Sequence, residues 1–351
     1  MELALSRVIN GLLPLGMTHS IAVLKGEALI RDRIDPSVRI HCLHAGARDP
    51  GVPLRLKQLI DRERPTVIHC RNLGAWPEIA VARLLARPRV PLVFSFHGLA
   101  EARPVSWRWR MLSRLLARLT SRLFTVSTAS RQFLVEHIGL RGAAIEVIPN
   151  GVDTARFGPP GGPRPAAEVL VVGTVGSLLP VKNQALLVRA CATLIGQGLK
   201  LRLEIAGEGP ERERLQQLID SLGIADQVVL RGQVADIPGF LHSLDLFVLP
   251  SDSEAHPNAL SEAMACGLPC IGSRVGGIPE IVDEGRGARL FPRGDEAALT
   301  AALRELALDP DARRALGQAA CELVAQRYSM QVMLQRYAAL YGGLSGAPAA
   351  R

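Results

Sequence analysis

Short apolar runs alternate with segments of helical period along almost the whole of this 351-residue chain. The runs are rich in β-branched residues, and their length suits strands that are buried on both faces of a parallel sheet. Alternation of such strands with helices predicts a doubly wound α/β architecture. The predicted strands are residues 66–70, 92–96, 123–127, 145–149, 169–176, 201–206, 228–230, 244–249 and 269–272, and the main predicted helices are residues 53–63, 74–87, 107–121, 182–196, 210–221 and 258–266.

A dense Gly/Pro segment at residues 158–165 interrupts this alternation, because Gly and Pro at that density continue neither a helix nor a strand. We therefore expect two Rossmann-like domains, each built on a parallel sheet. The expected division is a first domain at 1–158, a linker at 159–167, a second domain at 168–327, a helix at 328–343 that packs back toward the first domain, and a flexible tail at 344–351. Ligands of such sheets bind outside the carboxyl ends of the strands.

The composition excludes several classes of protein. Hydrophobic residues make up 48% and charged residues 21% of the chain, which excludes a disordered chain. No run of 18 apolar residues is present, so a membrane-spanning helix is not expected. Six cysteines without a recognisable export signal favour a reducing compartment. Some residues of metal-binding type match no zinc spacing and are expected to pack at strand ends, so no metal site is predicted: His41, Cys42, His44, His69 and Cys70.

Positive charge is concentrated in the first half of the chain. Counting Lys and Arg against Asp and Glu, residues 1–158 carry +11 and residues 159–351 carry −3. A basic half beside a mildly acidic one suggests that the first domain meets something anionic, such as a membrane surface, a phosphorylated acceptor or a nucleic acid. Nucleic acid is not the expected partner, because the arginines are dispersed and no nucleic-acid motif is present.

Three junctions in the second half place polar or glycine residues directly after a predicted strand. Gly176 and Ser177 precede Lys182, whose ammonium can neutralise a phosphate. Gly207 follows the next strand and allows the backbone to approach a ligand closely. The third junction carries Glu254 in a loop and Glu262 in the following helix, together with His256, Pro257, Asn258 and Ala259. The three junctions share one edge of a parallel sheet and predict a site for a nucleotide diphosphate.

The third junction has features that suit a nucleoside diphosphate sugar. Its helix is expected to begin near Asn258, a favourable N-cap residue, so that free N–H groups and the helix dipole would attract the diphosphate. A carboxylate on that helix can accept two hydrogen bonds from a ribose diol, and a carboxylate in the loop can hold sugar hydroxyls. Alone, two glutamates eight residues apart are more typical of a surface loop and a solvated helix face, so the prediction depends on the other two junctions.

With these residues the sequence resembles the retaining glycosyltransferases of family 4, which have the GT-B fold. The resemblance covers nearly the whole chain and is closest over residues 146–285. It rests on Glu254 and Glu262 as an E-x7-E motif within Ser253–Pro269, on Lys182, and on the segments Gly207–Pro210, Val275–Glu280, Ile148–Asp153 and Phe94–Gly98. Within the family, the chain is most similar to bacterial sugar transferases of exopolysaccharide or exosortase-associated gene clusters.

The resemblance implies two GT-B domains that face each other across a cleft, with the donor site mostly in the second domain and the acceptor site mostly in the first. It implies transfer from a nucleotide sugar with retention of the anomeric configuration and without a metal ion or other cofactor. Glu262 would hold the ribose, Glu254 the donor sugar, and Lys182 the leaving diphosphate. His97 would reach the donor sugar or the β-phosphate from the first domain, although a capping or core role for this histidine is the alternative.

Two departures from the family pattern qualify these expectations. Ser177 stands where the family usually has an arginine, so one guanidinium of the phosphate clamp is missing. The helix at residues 1–7, with Glu2 matching a family loop glutamate, begins where the family has already formed its first strand. Roughly 20 residues are therefore expected to be missing before Met1. Loss of that central strand would leave two ladder edges of the first sheet exposed.

An arginine-rich segment in the first domain has two interpretations. Arg110, Arg114, Arg118 and Arg122 stand four residues apart on one helical stripe, and Trp107 precedes them. Such a basic amphipathic helix suits an anionic lipid surface. Equally, it suits an ordinary crossover helix with its apolar face on the sheet and its arginines in water.

The sequence thus predicts a hexosyltransferase that acts on a lipid-linked or polysaccharide acceptor in cell-envelope or exopolysaccharide synthesis. The expected location is the cytoplasm, at the inner face of the plasma membrane. The alternative is a degenerate nucleotide-sugar-binding protein that no longer turns over, which the serine at 177 and the late start suggest. A GT-B epimerase or phosphorylase is the remaining catalytic alternative.

Overall fold

The computed structural model describes residues 2–26, 30–46, 49–98, 105–162 and 168–345. The chain divides into two compact units, one of Met1–Asn150 with Met330–Arg351 and one of Gly151–Ser329. The unit boundary lies eight residues before the one expected from the sequence, because Val152 and Phe157 are buried in the core of the second unit. Residues 163–167 of the expected linker and 346–351 of the expected tail lie outside the described residues.

Unit 1 contains two parallel sheets. Strands β1 and β2 pair with each other, and four further strands form a sheet of order β3-β4-β5-β6. Within the described residues, the end strands β1, β2, β3 and β6 each pair on one side only. The elements are α1 (Glu2–Leu12), β1 (Ser20–Val23), β2 (Arg39–Cys42), α2 (Val52–Glu63), β3 (Ile68–Arg71), α3 (Trp76–Leu85), β4 (Leu92–Phe96), α4 (Trp107–Arg118), β5 (Arg122–Thr125), α5 (Thr128–Phe133) and β6 (Ile145–Val147).

Unit 2 contains one six-stranded sheet of order β12-β11-β10-β7-β8-β9, in which all neighbours are parallel. Together with the sheets of unit 1, this confirms the predicted doubly wound α/β class. The elements are β7 (Leu170–Val175), α6 (Gln184–Gly196), β8 (Leu201–Ala206), α7 (Arg212–Ser221), β9 (Val228–Gly232), α8 (Ile237–His242), β10 (Leu246–Leu249), α9 (Asn258–Ala265), β11 (Cys270–Ser273), α10 (Ile278–Ile281), β12 (Arg289–Phe291), α11 (Glu296–Leu308) and α12 (Pro310–Arg327).

The final helix, α13 (Met330–Ser345), belongs to unit 1. Its Tyr337 is fully buried and packs in one cluster with Val93 of β4 and Phe124 of β5. Leu12 of α1 lies in the same cluster. Residues alternate between the two faces of a strand, so the β3 and β4 side chains that share the face of Val93 lie beneath α13.

Local sequence explains where several helices begin. Asp295 and Asp309 each accept a hydrogen bond from a backbone N–H three residues ahead, and they cap α11 and α12. Pro310 then occupies the first position of α12, where its missing N–H costs nothing. The all-apolar strand β10 is buried at every residue, as a central strand of a parallel sheet requires.

Candidate functional site

The connections of the unit 2 sheet define a crevice at the carboxyl ends of its strands. The chain passes from the central strand β7 outward to β8 and β9, then returns to the other side of β7 for β10, β11 and β12. The loops that follow β7 and β10 therefore lie side by side and lead in opposite directions. Such a topological switch point is where doubly wound sheets bind ligands.

Two glycines let the loops after β7 and β8 approach each other. Gly207 has φ of +146°, and a Cβ there would lie 1.8 Å from the carbonyl oxygen of Gly176. A Cβ on Gly209 would lie 2.4 Å from the carbonyl oxygen of Leu178. The contact is held by backbone hydrogen bonds, since the Leu178 N–H donates to the Glu208 carbonyl at 2.9 Å. The loops thus form a cradle in which backbone, rather than side chains, faces inward.

Lys182 and Glu254 meet at the switch point. Lys182 ends a short 3-10 turn after β7, and its Nζ donates to Glu254 Oε1 at 2.6 Å. The Ser251 hydroxyl donates to the same oxygen at 2.8 Å. Glu254 is buried, whereas Lys182 is half-buried. An ammonium has three donors and a carboxylate has four lone-pair sites, so both groups retain capacity to bind a ligand.

Helix α9 begins beside this pair and carries Glu262, which is buried. Helix α9 begins at Asn258, as predicted, but Asn258 does not cap it: the capping position is Pro257, and no side chain caps the helix. Pro257 restricts the backbone angle φ just before the helix, but its side chain has no oxygen that could accept a hydrogen bond from a backbone amide of α9. The first amides of a helix have no intrahelical acceptor, and here they follow directly on the Glu254 loop.

His256 is a buried imidazole in the same loop. Neither of its ring nitrogens makes a hydrogen bond of normal geometry with the described residues. Burial lowers the pKa of His256 to about 4, so the ring is neutral near pH 7. Its ring lies 6.0 Å from that of Tyr328 in an edge-on arrangement. A side-chain contact with Asn258 favours the charged ring, but burial has the larger effect on the pKa of His256.

His97 stands in unit 1, at the carboxyl end of β4. Its backbone N–H donates to Asn72 Oδ1 at 3.2 Å. Its Nδ1 lies 3.2 Å from Arg71 Nη2, and its Nε2 lies 2.8 Å from Ser95 Oγ. The predicted residues therefore separate into two groups, with His97 in unit 1 and the residues from Gly176 to Glu262 in unit 2.

The arginine stripe predicted on α4 is not a single helical stripe. Helix α4 ends at Arg118, so Arg122 is the first residue of β5. Arg114 Nε donates to the carbonyl of Gly139 at 3.0 Å, which ties one of the remaining arginines to the protein. Ser113 and Leu116 are the buried residues of the helix, while Trp107, Met111, Leu112 and Leu115 are exposed. Trp109, Leu116 and Ala117 pack on the core of unit 1, so the interpretation as an ordinary crossover helix holds for this part of α4 but not for its exposed apolar residues.

Several residues of the site were not foreseen. Ser251 holds Glu254, and Asn183 Nδ2 donates to Asp252 Oδ1 at 3.3 Å to join the loops after β7 and β10. A position directly after a strand was the available signal for Ser251. Ser177 is exposed, and its carbonyl accepts a hydrogen bond from Gln184 Nε2 at 3.2 Å. Within the described part of the chain, no group of three or more His, Cys, Asp or Glu could hold a metal ion, and no helix could cross a membrane.

Comparison with known proteins places the two halves in related families. Residues 2–156 match the family described as Glycosyltransferase Family 4, and residues 164–322 match Glycosyl transferases group 1. The chain is 30% identical over 316 residues to the GDP-mannose-dependent alpha-(1-6)-phosphatidylinositol monomannoside mannosyltransferase of Mycolicibacterium smegmatis, an alignment that covers 84% of this chain and 81% of that protein.

Two other matches differ in extent. The N-acetyl-alpha-D-glucosaminyl L-malate synthase of Bacillus anthracis is 32% identical over 167 residues, which span 48% of this chain and 44% of that protein. The crystal structure of Anabaena HepE in complex with UDP superposes with a TM-score of 0.84 and covers 97% of this chain and 96% of that one, at 22% identity. The last likeness establishes the fold.

Proposed function

The chain belongs to glycosyltransferase family 4 and has the GT-B fold, and on that premise we propose a specific reaction. It transfers a hexose from a nucleotide-diphosphate sugar to a lipid-linked or polysaccharide acceptor, with retention of the anomeric configuration and without a metal ion. The process it serves is cell-envelope or exopolysaccharide synthesis. The observation that carries the proposal is the Lys182–Glu254–Ser251 cluster at the switch point of unit 2.

The cluster supplies what sugar transfer from a diphosphate needs. Negative charge grows on the leaving diphosphate while the sugar gains oxocarbenium character. The remaining donors of Lys182 and the start of α9 oppose the growing negative charge in place of a metal ion. The carboxylate of Glu254 accepts hydrogen bonds from the Lys182 ammonium and the Ser251 hydroxyl, and it can accept further hydrogen bonds from sugar hydroxyls. Glu262 would accept hydrogen bonds from both hydroxyls of a ribose, and the diphosphate would lie against the backbone of the loops at Gly176 and Gly207.

The relatives support the class of donor and acceptor. The mycobacterial relative is named for a GDP-mannose donor and a phosphatidylinositol-linked acceptor, and the Anabaena structure contains UDP. The buried, neutral imidazole of His256 in the same loop also suits an uncharged group of the ligand, such as a sugar hydroxyl. We therefore expect a nucleotide sugar as donor and place the acceptor among glycolipids or glycans.

Nucleotide binding tests the donor site. We expect one of UDP, GDP, ADP and CMP to raise the melting temperature in the presence of EDTA, because the site supplies its own positive charge. A nucleotide at 100 times its dissociation constant adds about 2.7 kcal/mol to the free energy of unfolding. The control is Glu262→Gln, which removes the charge from the proposed ribose contact and should reduce the rise in melting temperature. Stabilisation by none of the four nucleotides, or only when Mg²⁺ is added, would contradict the metal-free site.

A protein that binds nucleotide sugars without turning them over is the second candidate, and Ser177 favours it. An arginine at this position would add a bidentate phosphate contact. Ser177 is exposed and has no guanidinium to make that contact. This candidate predicts the same nucleotide stabilisation and no sugar transfer. The two candidates are therefore distinguished by measuring sugar transfer and not by measuring nucleotide binding.

We also propose that unit 1 rests on an anionic membrane at the inner face of the plasma membrane, through helix α4. Trp107, Met111 and Leu115 stand four residues apart and are 67%, 60% and 52% exposed, so they form an apolar stripe facing water. Arg108 lies over the Trp107 ring, and Arg118 is exposed at the other end of the helix. An exposed apolar stripe with arginines at both ends suits insertion at the level of anionic headgroups.

Vesicle binding tests this placement. We expect the protein to sediment with vesicles containing phosphatidylglycerol, and to bind pure phosphatidylcholine at least tenfold more weakly, because each arginine near the surface contributes about 1 kcal/mol. The double change Met111→Glu and Leu115→Glu should abolish binding. Leu308→Glu is the matched control, since Leu308 is equally exposed, at 68%, but lies on α11 of unit 2. Equal binding by both variants would refute the α4 surface.

A further inference from the structure

His97 of unit 1 belongs to a chain of hydrogen bonds that ends on the last helix, α13. Because strand residues alternate, His69 and Arg71 of β3 share one face with Ser95 of β4, and His97 follows on the same face. His69 Nε2 lies 2.6 Å from Ser95 Oγ, and His69 Nδ1 lies 2.7 Å from the hydroxyl of Tyr341 on α13. The contacts thus run from Arg71 through His97, Ser95 and His69 to Tyr341.

The direction of every proton in this chain follows from its first member. A guanidinium donates hydrogen bonds and cannot accept them, so His97 Nδ1 accepts from Arg71 and carries no proton. The ring proton of His97 therefore stands on Nε2 and is donated to Ser95 Oγ. Ser95 in turn donates to His69 Nε2, which leaves the proton of His69 on Nδ1, where it is donated to Tyr341.

The surroundings fix these protonation states. Burial, together with the nearby Arg71 charge, holds the pKa of His69 well below its usual value, so its ring stays neutral. Burial also raises the pKa of Tyr341, which keeps its hydroxyl protonated. Arg71 Nε and Nη1 are buried and have no hydrogen-bond partner among the described residues. A buried cation with unmade hydrogen bonds is costly to stability, which argues that its contact with His97 serves a purpose other than folding.

We propose that Arg71, Ser95, His69 and Tyr341 are positioning residues that hold His97 as the neutral Nε2–H tautomer in one ring orientation. The proposal rests on the proposed function in one respect, that His97 acts in sugar transfer. Its consequence is that helix α13, through Tyr341, supports the orientation of a residue 244 positions earlier. Without the Tyr341 acceptor, His69 shifts toward the opposite tautomer, and Ser95 loses the acceptor that orders its hydroxyl. The contact that fixes the orientation of the His97 ring is then weakened.

Nitrogen-15 NMR of histidine-labelled protein tests the assignment without any need for activity. In the wild type at pH 7.5 we expect Nδ1 of His97 and Nε2 of His69 to be unprotonated, with resonances assigned from His97→Gln and His69→Gln variants. In Tyr341→Phe we expect a second His69 population protonated on Nε2, while Nδ1 of His97 stays unprotonated because Arg71 cannot accept a hydrogen bond. The matched control is Tyr337→Phe, which removes a hydroxyl from the same buried helix face but outside the chain of contacts. A wild-type His97 protonated on Nδ1, or on both nitrogens, would overturn the proposal.

Kinetics provide the second readout. We expect Tyr341→Phe and Ser95→Ala to lower kcat about 10–100-fold, the cost of a misplaced reacting group, with the donor KM within about twofold of wild type. Ser95→Thr should restore most of kcat, because it retains the hydroxyl. Equal kcat for Tyr341→Phe and Tyr337→Phe would refute the positioning role. If the predicted tautomers are found but no variant or wild type transfers sugar, the proposed function fails while the hydrogen-bond assignment stands.

Discussion

We expect replacement of Lys182 with methionine to lower kcat for sugar transfer by about 10²–10³-fold, the usual loss when one preorganised group that stabilises developing charge is removed. Lys182 Nζ is placed at the switch point by its 2.6 Å contact with Glu254 and is half-buried there. The charge that it opposes is largest in the transition state, so kcat should fall more than the donor KM rises. Steady-state kinetics with the donor identified by nucleotide binding would measure both constants.

Two variants separate loss of catalysis from loss of folding. Lys200→Met removes a lysine from the same unit whose side chain is 68% exposed and pairs only at the surface, with Glu168, and it should leave kcat unchanged. The double variant Lys182→Met with Glu254→Gln removes the charge that Lys182→Met leaves unpaired, so it should fold at least as well and still be inactive. A kcat for folded Lys182→Met within threefold of wild type would contradict the proposed role.

A methyl group at Gly207 should destabilise unit 2 by about 2–6 kcal/mol, because two costs combine there. The added Cβ would lie 1.8 Å from the Gly176 carbonyl oxygen, so the β7 and β8 loops must move apart. The φ of +146° also lies where residues with a side chain are strained. For a unit of this size we expect Gly207→Ala to lower the melting temperature by about 5–20 °C, as measured by calorimetry, and to weaken nucleotide binding.

Gly196→Ala is the matched control for this prediction. Gly196 is the last residue of α6, and a Cβ there would meet nothing within 4 Å. Alanine favours a helix by up to about 1 kcal/mol over glycine, so this variant should melt at or slightly above the wild-type temperature. Melting of Gly207→Ala within 2 °C of Gly196→Ala would show that the two loops do not depend on the glycine.

Much of the fold could be read from local patterns. The runs at 92–96 and 244–249 are strands because continuous apolar residues suit burial on both faces of a parallel sheet, and the structure places β4 and β10 there. The short strand β1 was not predicted, and of β2 only the end at His41 and Cys42 was expected. Their residues are only partly buried, so the apolar signal that marks a central strand is weak in both.

The candidate site was predictable as far as its positions, but not its contacts. The carboxyl ends of β7, β8 and β10 follow from the alternation of strands and helices. The ion pair of Lys182 and Glu254 joins residues 72 positions apart, and no local pattern encodes such a pair. The contacts of His97 are non-local in the same way, since Arg71 is 26 residues away and Tyr341 reaches the group from the end of the chain.

The sequence left the orientation of α4 open for a different reason. A basic amphipathic sequence specifies two faces but not which one meets the protein. Here Arg114 bonds a backbone carbonyl of the protein, and the stripe of Trp107, Met111 and Leu115 faces water. The helix also ends at Arg118, because the chain must turn into β5, which removes Arg122 from the stripe.

Release of nucleotide by the wild-type chain in EDTA tests the central claim most directly. The donor is a nucleotide sugar that carries whichever nucleotide stabilises the protein. The acceptor is a lipid extract of bacterial membranes, and the product linkage is assigned by proton NMR. We predict that release of nucleotide depends on the acceptor and persists in EDTA. We also predict that the transferred sugar keeps the anomeric configuration that it had in the donor. Binding of the nucleotide without release for any acceptor fraction, in the wild type and in Ser177→Arg alike, would contradict the account and identify the chain as a binding protein.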